Sequence, residues 1–148
     1  MRLGMAAAAA AFLMMGGGAF AGTPQEEANR KVVLEFYDLA LNKKDAEAAA
    51  KHFGPKYVQH NPQAQDGVEG FKGFISFLKT SAPNSKSEIK RSYVDGDTVI
   101  LHVHSVREPG TRGRAIVDIF RLEKGKIVEH WDVIQDVPEK AANTNTMF

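Results

Sequence analysis

The spacing of apolar residues predicts three helices in the first half of the chain. Thr23, Pro24 and Glu26 form a capping box that begins the first helix, and apolar residues then recur at helical spacing. Asp45 is placed to cap a short second helix that ends before Gly54. An irregular segment, KYVQHNPQAQDG, separates it from a third helical pattern, VEGFKGFISFLKT.

The spacing changes to strict alternation after Pro83. Four alternating segments follow, SEIKRSYV, TVILHVHSVRE, RAIVDIFRLE and KIVEHWDVIQ, and Asp95-Gly96 between the first two is a hairpin signal. Four strands joined by short turns predict an antiparallel meander. Three helices followed by such a sheet predict an α+β domain.

Alternation also assigns polar side chains to one face of each of the last three strands, opposite an aliphatic face. These polar residues are His102, His104, Asp118, His130 and Asp132. If the three faces lie on the same side of the sheet, imidazoles and carboxylates converge in an apolar setting, where burial and neighbouring charges shift protonation. Trp131 then points to the opposite side, as a core or interface residue.

A structural interpretation of these residues stays open beside the functional one. A single histidine on a strand is more often a hydrogen-bonded structural residue than a ligand. Asp118 lies between apolar neighbours, and an unpaired buried carboxylate costs free energy, so Asp118 is either functional or structurally paired.

The composition limits the class of partner. The 148 residues suffice for one domain with a sizeable core. Nineteen basic and eighteen acidic residues leave a formal net charge of +1, which favours neither nucleic acid nor an acidic membrane. The expected partner is a small molecule or a second copy of the chain.

Residues 1–21 are predicted to be a secretory signal peptide. Arg2 precedes an apolar run, and the small residues Ala19 and Ala21 precede the expected cleavage site. A membrane anchor, the alternative, requires about 20 uninterrupted apolar residues, and glycines interrupt this run. The mature protein is therefore expected to be secreted or periplasmic, without membrane attachment.

The mature chain is predicted to consist of a domain over residues 22–137 and a tail over residues 138–148. The tail is polar apart from Met147 and Phe148, and it is either mobile or docked by these two residues. The sequence contains no cysteine, so the domain does not depend on disulfides.

Several segments together resemble the SnoaL-like polyketide cyclases of the nuclear-transport-factor-2-like superfamily. They are VLEFYDLALN, YVQHNP, GVEGF, VHSVREPG, DIFRLEKGKIVEHWDVIQ and NTMF. The resemblance covers nearly all of the mature chain. It implies a cone-shaped fold, in which N-terminal helices pack in a strongly curved antiparallel sheet that encloses a pocket, and it implies a homodimer.

The resemblance also implies cofactor-free ring closure by aldol condensation, with an aspartate as acid and base and a histidine as its helper. Asp118 and His104 fit this pair best, and Asp132 is a second candidate for the acid–base role. The expected substrate-binding residues are Tyr57, His60, Asn61, His102 and His130. Neither a cofactor nor a metal is expected.

Two hypotheses of different classes follow for the function. The first is a cofactor-independent cyclase, isomerase or hydrolase that acts on a small apolar carbonyl compound. The second is a non-catalytic exported protein that binds a hydrophobic small molecule. The histidines and carboxylates favour an enzyme, because simple apolar binding does not require several ionisable groups.

A metal site of the cupin type is a further alternative. Gly96, His102, His104 and Glu108 match most of the first cupin motif, and His-x-His places two imidazoles on one face. However, Ala115 stands where that motif has glycine, and no second motif follows. Three N-terminal helices are also atypical of a cupin.

Overall fold

The computed structural model describes residues 22–148, so the predicted signal peptide lies outside the described residues. The helices are α1 (Pro24–Tyr37), which continues into a π-helical turn (Asp38–Asn42), α2 (Ala46–Ala50) and α3 (Gly67–Ser81). The strands are β1 (Phe53–Gln59), β2 (Lys86–Asp95), β3 (Thr98–Val106), β4 (Arg114–Glu123) and β5 (Lys126–Asp136). Within residues 22–148, no helix is both long and apolar enough to cross a membrane.

Side-chain hydrogen bonds confirm the predicted starts of α1 and α2. The Thr23 hydroxyl accepts from the backbone N–H of Glu26, and the Glu26 side chain accepts from the backbone N–H of Thr23. The Asp45 carboxylate accepts from the backbone N–H of Ala48 at the start of α2. Both caps satisfy N–H groups that have no partner inside the helix.

The sheet has the order β1-β5-β4-β3-β2, and β2 to β5 form the predicted antiparallel meander. The expectation of an irregular segment before α3 is wrong in part, because Phe53–Gln59 forms β1, which pairs parallel with β5. Gly54 and Pro55 interrupt the alternation of apolar and polar residues in this segment, so the sequence pattern does not indicate a strand. The proline is tolerated because β1 is an edge strand.

The helices pack against the concave face of the curled, unclosed sheet, as predicted for an α+β cone. Val33 on α1, Ile75 on α3 and Leu101 on β3 are almost completely buried between these layers. Phe36 lies at the centre, with its ring 5.1 Å from Phe53 and 5.7 Å from Phe120 between centroids. This core fixes the helices to the sheet and leaves one end of the concave side open as a cavity.

The C-terminal residue lies on the convex, outer face of the sheet. The ring of Phe148 is 4.4 Å from that of His104 and 5.6 Å from that of His102 between centroids. Of the two alternatives for the tail, the structure has the docked one.

Candidate acid–base site

The concave side of the sheet encloses a cavity of about 620 Å³. Most of its wall is apolar, formed by Phe36, Leu41, Phe71, Phe74, Phe77, Leu78, Ile116, Phe120 and Ile134. A smaller set of polar side chains from β1, β4 and β5 faces the same space. A mainly apolar cavity with a few polar groups is typical of small-molecule sites.

Neighbouring strands bring the principal polar side chains together. Asp118 on β4 lies opposite Asp132 on β5, and Phe120 lies opposite His130. Because side chains alternate, these four residues share the face that lines the cavity. The predicted polar faces of β4 and β5 therefore do coincide, and Trp131 points the other way.

Asp118 and His130 form a buried pair. Nε2 of His130 is 3.1 Å from Oδ1 of Asp118, and the two residues are 8% and 5% exposed, respectively. The hydroxyl of Tyr37 donates to Oδ2 of the same carboxylate at 2.9 Å. The carboxylate thus has a partner on each oxygen, as a buried ionisable group requires.

Hydrogen bonding of Gln59 fixes the tautomer of His130. The backbone N–H of Asn61 donates to Oε1 of Gln59 at 2.9 Å, while Nε2 of Gln59 donates to the hydroxyl of Tyr57 at 2.9 Å. Nδ1 of His130 is 3.0 Å from Oε1, which only accepts, so Nδ1 carries a proton. One further proton then lies between Nε2 of His130 and Oδ1 of Asp118, on either atom.

The tyrosines of the site are phenols at neutral pH. Burial, followed by the charge of Asp118, raises the pKa of Tyr37 well above its usual value. The same two causes raise the pKa of Tyr57. The Tyr57 hydroxyl accepts from Gln59, and no group among residues 22–148 accepts its own proton. Tyr57 can therefore donate a hydrogen bond to a ligand in the cavity.

Asp132 is held by an amide. Nδ2 of Asn61 lies 2.8 Å from both oxygens of the Asp132 carboxylate. Asp132 is only half-buried, unlike Asp118. Both Asn61 and Asp132 line the cavity, so the amide and the carboxylate are accessible to a ligand there.

Three side chains of the site are also spaced for a metal ion. Ligand atoms of Asp118, His130 and Asp132 all lie within 4.8 Å of one another. A cation here would replace the contact between His130 and Asp118 and would compete with Asn61 for Asp132. The donors and acceptors of these residues are already matched as a hydrogen-bonded set.

The predicted pairing of Asp118 with His104 is wrong. In the register of β3 and β4, Asp118 lies opposite Leu101, whereas His104 lies opposite Ala115. The aliphatic face of β3 therefore lines the concave side, and His102 and His104 lie on the outer face. Nε2 of His104 is 2.8 Å from the backbone carbonyl of Arg112. Among residues 22–148, the side chains close enough together to hold a metal ion are Asp118, His130 and Asp132, and His102 and His104 are not among them.

The prediction is also wrong for His60, but Tyr57 and Asn61 do line the cavity. His60 is on the opposite side of the chain from these two residues, as alternation requires. Its ring stacks on Trp131 at 4.6 Å, and Nε2 lies 2.9 Å from the carboxylate of Glu129.

Two residues of the site were not predicted. Gln59 could have been found, because it alternates with Tyr57 and Asn61 once the segment is known to be a strand. Tyr37 lies in the apolar pattern of α1, and nothing local distinguishes it from a core residue. Only packing of α1 on β4 brings its hydroxyl to Asp118.

Comparison with known proteins gives one family. Residues 33–130 match the family model of the SnoaL-like domain. Among curated proteins, none matches the chain.

Solved structures with the same fold include a proposed polyketide cyclase from Acidithiobacillus ferrooxidans, 19% identical over 72% of this chain and 87% of that chain, with a TM-score of 0.61. AclR, a proposed hydroxylase from Streptomyces galilaeus, is 21% identical over 74% and 90%, with a TM-score of 0.62. A proposed ketosteroid isomerase from Kribbella flavida is 16% identical over 80% and 86%, with a TM-score of 0.66. At these identities the likeness concerns the fold.

Proposed function

The chain belongs to the SnoaL-like domain family, and we propose that it is an enzyme that performs cofactor-free acid–base chemistry on a small apolar carbonyl compound. The observation that carries this proposal is the Asp118–His130 pair, which is buried at the wall of an apolar cavity with Nε2 of His130 3.1 Å from Oδ1 of Asp118. Such a pair can accept a proton from a substrate and return a proton to it.

Abstraction of a proton from the carbon next to a carbonyl group would use Asp118, Tyr57 and His130. The Asp118 carboxylate takes a proton from the carbon beside the substrate carbonyl, and the electron pair of the broken C–H bond moves to the carbonyl oxygen. The resulting enolate oxygen accepts a hydrogen bond from Tyr57, which stays a phenol because its pKa is raised. His130 stabilises the Asp118–proton unit through Nε2.

The enolate can then react in two ways, and in each the abstracted proton is returned to the product. In an isomerisation of a β,γ-unsaturated ketone, the proton held by Asp118 and His130 returns to the γ carbon of the dienolate, and the C=C bond moves into conjugation with the carbonyl group. In an aldol ring closure, the enolate carbon attacks a second carbonyl carbon of the same molecule, a C–C bond forms, and the new alkoxide takes the proton. Solved structures with the same fold are described as a proposed polyketide cyclase and a proposed ketosteroid isomerase, and for this reason the proposal includes both outcomes.

Exchange of protons for deuterium beside a ketone tests this proposal without knowledge of the natural substrate. The probe is methyl γ-benzoylbutyrate in D₂O, and NMR follows loss of the proton signal beside the ketone. We expect Asp118→Asn to slow exchange by about 100-fold, the usual scale of acid–base catalysis, while folding and probe affinity are retained. Asp95→Asn, which removes an exposed carboxylate from the β2–β3 hairpin, is the matched control.

The outcomes separate the alternatives. If the wild-type protein binds the ketone but the protons of the ketone exchange no faster than they do in buffer, the protein is a binding protein. Its function would then be to hold an apolar ligand in the cavity. A folded Asp118→Asn variant with undiminished exchange would assign the base to Asp132. The homodimer and the export remain predictions, which light scattering and N-terminal sequencing of the exported protein would test.

A further inference from the structure

Two arginines lie at the end of the cavity away from the acid–base pair. Arg107 follows β3, and Arg114 begins β4 opposite Ser105. By alternation both arginines and Ser105 lie on the concave side, and all three line the cavity. The Ser105 hydroxyl lies 3.1 Å from that of Ser87, which also lines the cavity. Guanidinium and hydroxyl groups together form a set of hydrogen-bond donors here.

Arg107 is the cation of this set that lacks a counter-ion. Among residues 22–148, no side chain forms a hydrogen bond or an ion pair with its guanidinium group. Partial burial and the neighbouring charge of Arg114 lower its pKa, yet a guanidinium stays charged at any physiological pH. An unpaired cation that borders a cavity is expected to attract an anion.

Arg114 is already partly neutralised. Its Nε donates to Oδ1 of Asp136 at 2.9 Å. The Asp136 side chain is 81% exposed, so this pair is weak and the other N–H groups of Arg114 remain free to bind a ligand. Glu108 and Glu139 line the adjoining outer pocket and not the cavity, so with Arg114 offset by Asp136 the cavity wall at this end has about one positive charge in excess. One excess charge matches a carboxylate better than a doubly charged phosphate.

The cavity is ordered by charge along its length. Arg114 and Asp118 are four residues apart on β4, which places their backbones roughly 13 Å apart along the strand. Ile116 and its cross-strand partner Ile134 form an apolar row between them. A molecule along this line meets an anionic inner end, an apolar middle and a cationic outer end.

We propose that the substrate is a keto acid whose carboxylate binds Arg107 and Arg114 while its ketone lies at Asp118 and His130. The position of the ketone rests on the proposed function, whereas the position of the carboxylate rests on the two arginines alone. The Asp132 carboxylate repels the substrate carboxylate from the inner end, so the charges select one orientation. An apolar body spans the isoleucine row.

γ-Benzoylbutyrate and its methyl ester test the proposal, because the two molecules differ mainly in the charge of one group. Calorimetry measures affinity, and proton–deuterium exchange beside the ketone measures kcat/KM. The wild-type protein should bind the acid at least about tenfold more tightly than the ester, which is the effect of one charge-assisted hydrogen bond. Added salt should weaken the binding of the acid and leave the binding of the ester unchanged. Arg107→Gln should abolish this preference.

Arg91→Gln is the matched control, since it removes the same charge from an exposed residue that contacts His102 on the convex face and lies away from the cavity. It should keep the wild-type preference for the acid. Equal preferences in Arg107→Gln and Arg91→Gln would overturn the proposal, because the effect would then come from overall charge. A stronger affinity for benzyl phosphate than for γ-benzoylbutyrate would overturn the assignment to a carboxylate.

Two results separate this inference from the proposed function. If the acid binds in an Arg107-dependent manner but no exchange occurs, the anion subsite stands and the acid–base enzyme fails. If exchange depends on Asp118 while acid and ester bind equally, the enzyme stands and the anion subsite is refuted.

Discussion

The two faces of the sheet carry histidines in different surroundings. On the concave face, His130 is 8% exposed and contacts the Asp118 carboxylate. On the convex face, His60 stacks on Trp131, and His104 contacts a backbone carbonyl. Among the histidines of residues 22–148, only His130 has a buried ionisable partner with which it can share a proton. The comparison shows that residue type alone does not identify acid–base chemistry, because burial and the partner decide it.

The faces also differ in what they contribute to stability. Leu101 on the concave side is fully buried, whereas Val133 on the convex side is 68% exposed. The concave face therefore provides both the core and the site. The convex face provides polar contacts and a docking place for Phe148.

The largest expected effect is a loss of stability on the concave face. Leu101→Ala leaves a cavity in the core and should lower the free energy of unfolding by about 3 kcal/mol, within the range of buried leucine truncations. Urea unfolding measures this change. Val133→Ala is the control, with an expected change below about 0.5 kcal/mol in a monomer. A larger loss at Val133 would show that a second copy covers the convex face.

The next effect concerns the histidines of the two faces. His130→Gln removes the group that shares a proton with Asp118, and it should slow exchange of methyl γ-benzoylbutyrate by about 100-fold. His104→Gln should leave the rate near that of the wild-type protein.

A double variant sharpens this test. Since Asp118 and His130 act as one unit, Asp118→Asn combined with His130→Gln should be no slower than the slower single variant. Multiplied losses would mean that the two residues act separately.

The smallest expected effect is the pH dependence of an ion pair on the convex face. Hydrogen bonds from His60 and then Arg121 lower the pKa of Glu129 from its usual value of 4.5. The folded state therefore holds fewer protons than the unfolded state, and the stabilisation is present above about pH 4.5 and is lost as pH falls through the lowered pKa.

Thermal unfolding of Glu129→Gln checks this sign. The variant should have a slightly lower Tm than the wild-type protein at neutral pH, and the difference should vanish in acid. A difference that grows as pH falls would contradict the assignment.

The sequence by itself determined the helices, the four-stranded meander and the grouping of polar residues within each strand. Capping at Thr23 and alternation along β4 are local, because they depend on residues that are close along the chain. For the same reason His130 and Asp132 were correctly assigned to one face of β5. The resemblance to the SnoaL-like family added the cone, which the structure confirms.

Tertiary structure decided which face of each strand meets the cavity. Alternation divides β3 into two faces but does not orient them, and the aliphatic face with Leu101 turned inward because its burial against the helices releases more free energy than burial of His102 and His104 would. Strand β1 and the contact of Tyr37 with Asp118 likewise depend on partners far along the chain. The alternation of side chains along a strand follows from its own residues, whereas the face that the strand turns toward the cavity is determined only when the whole sheet packs against the helices.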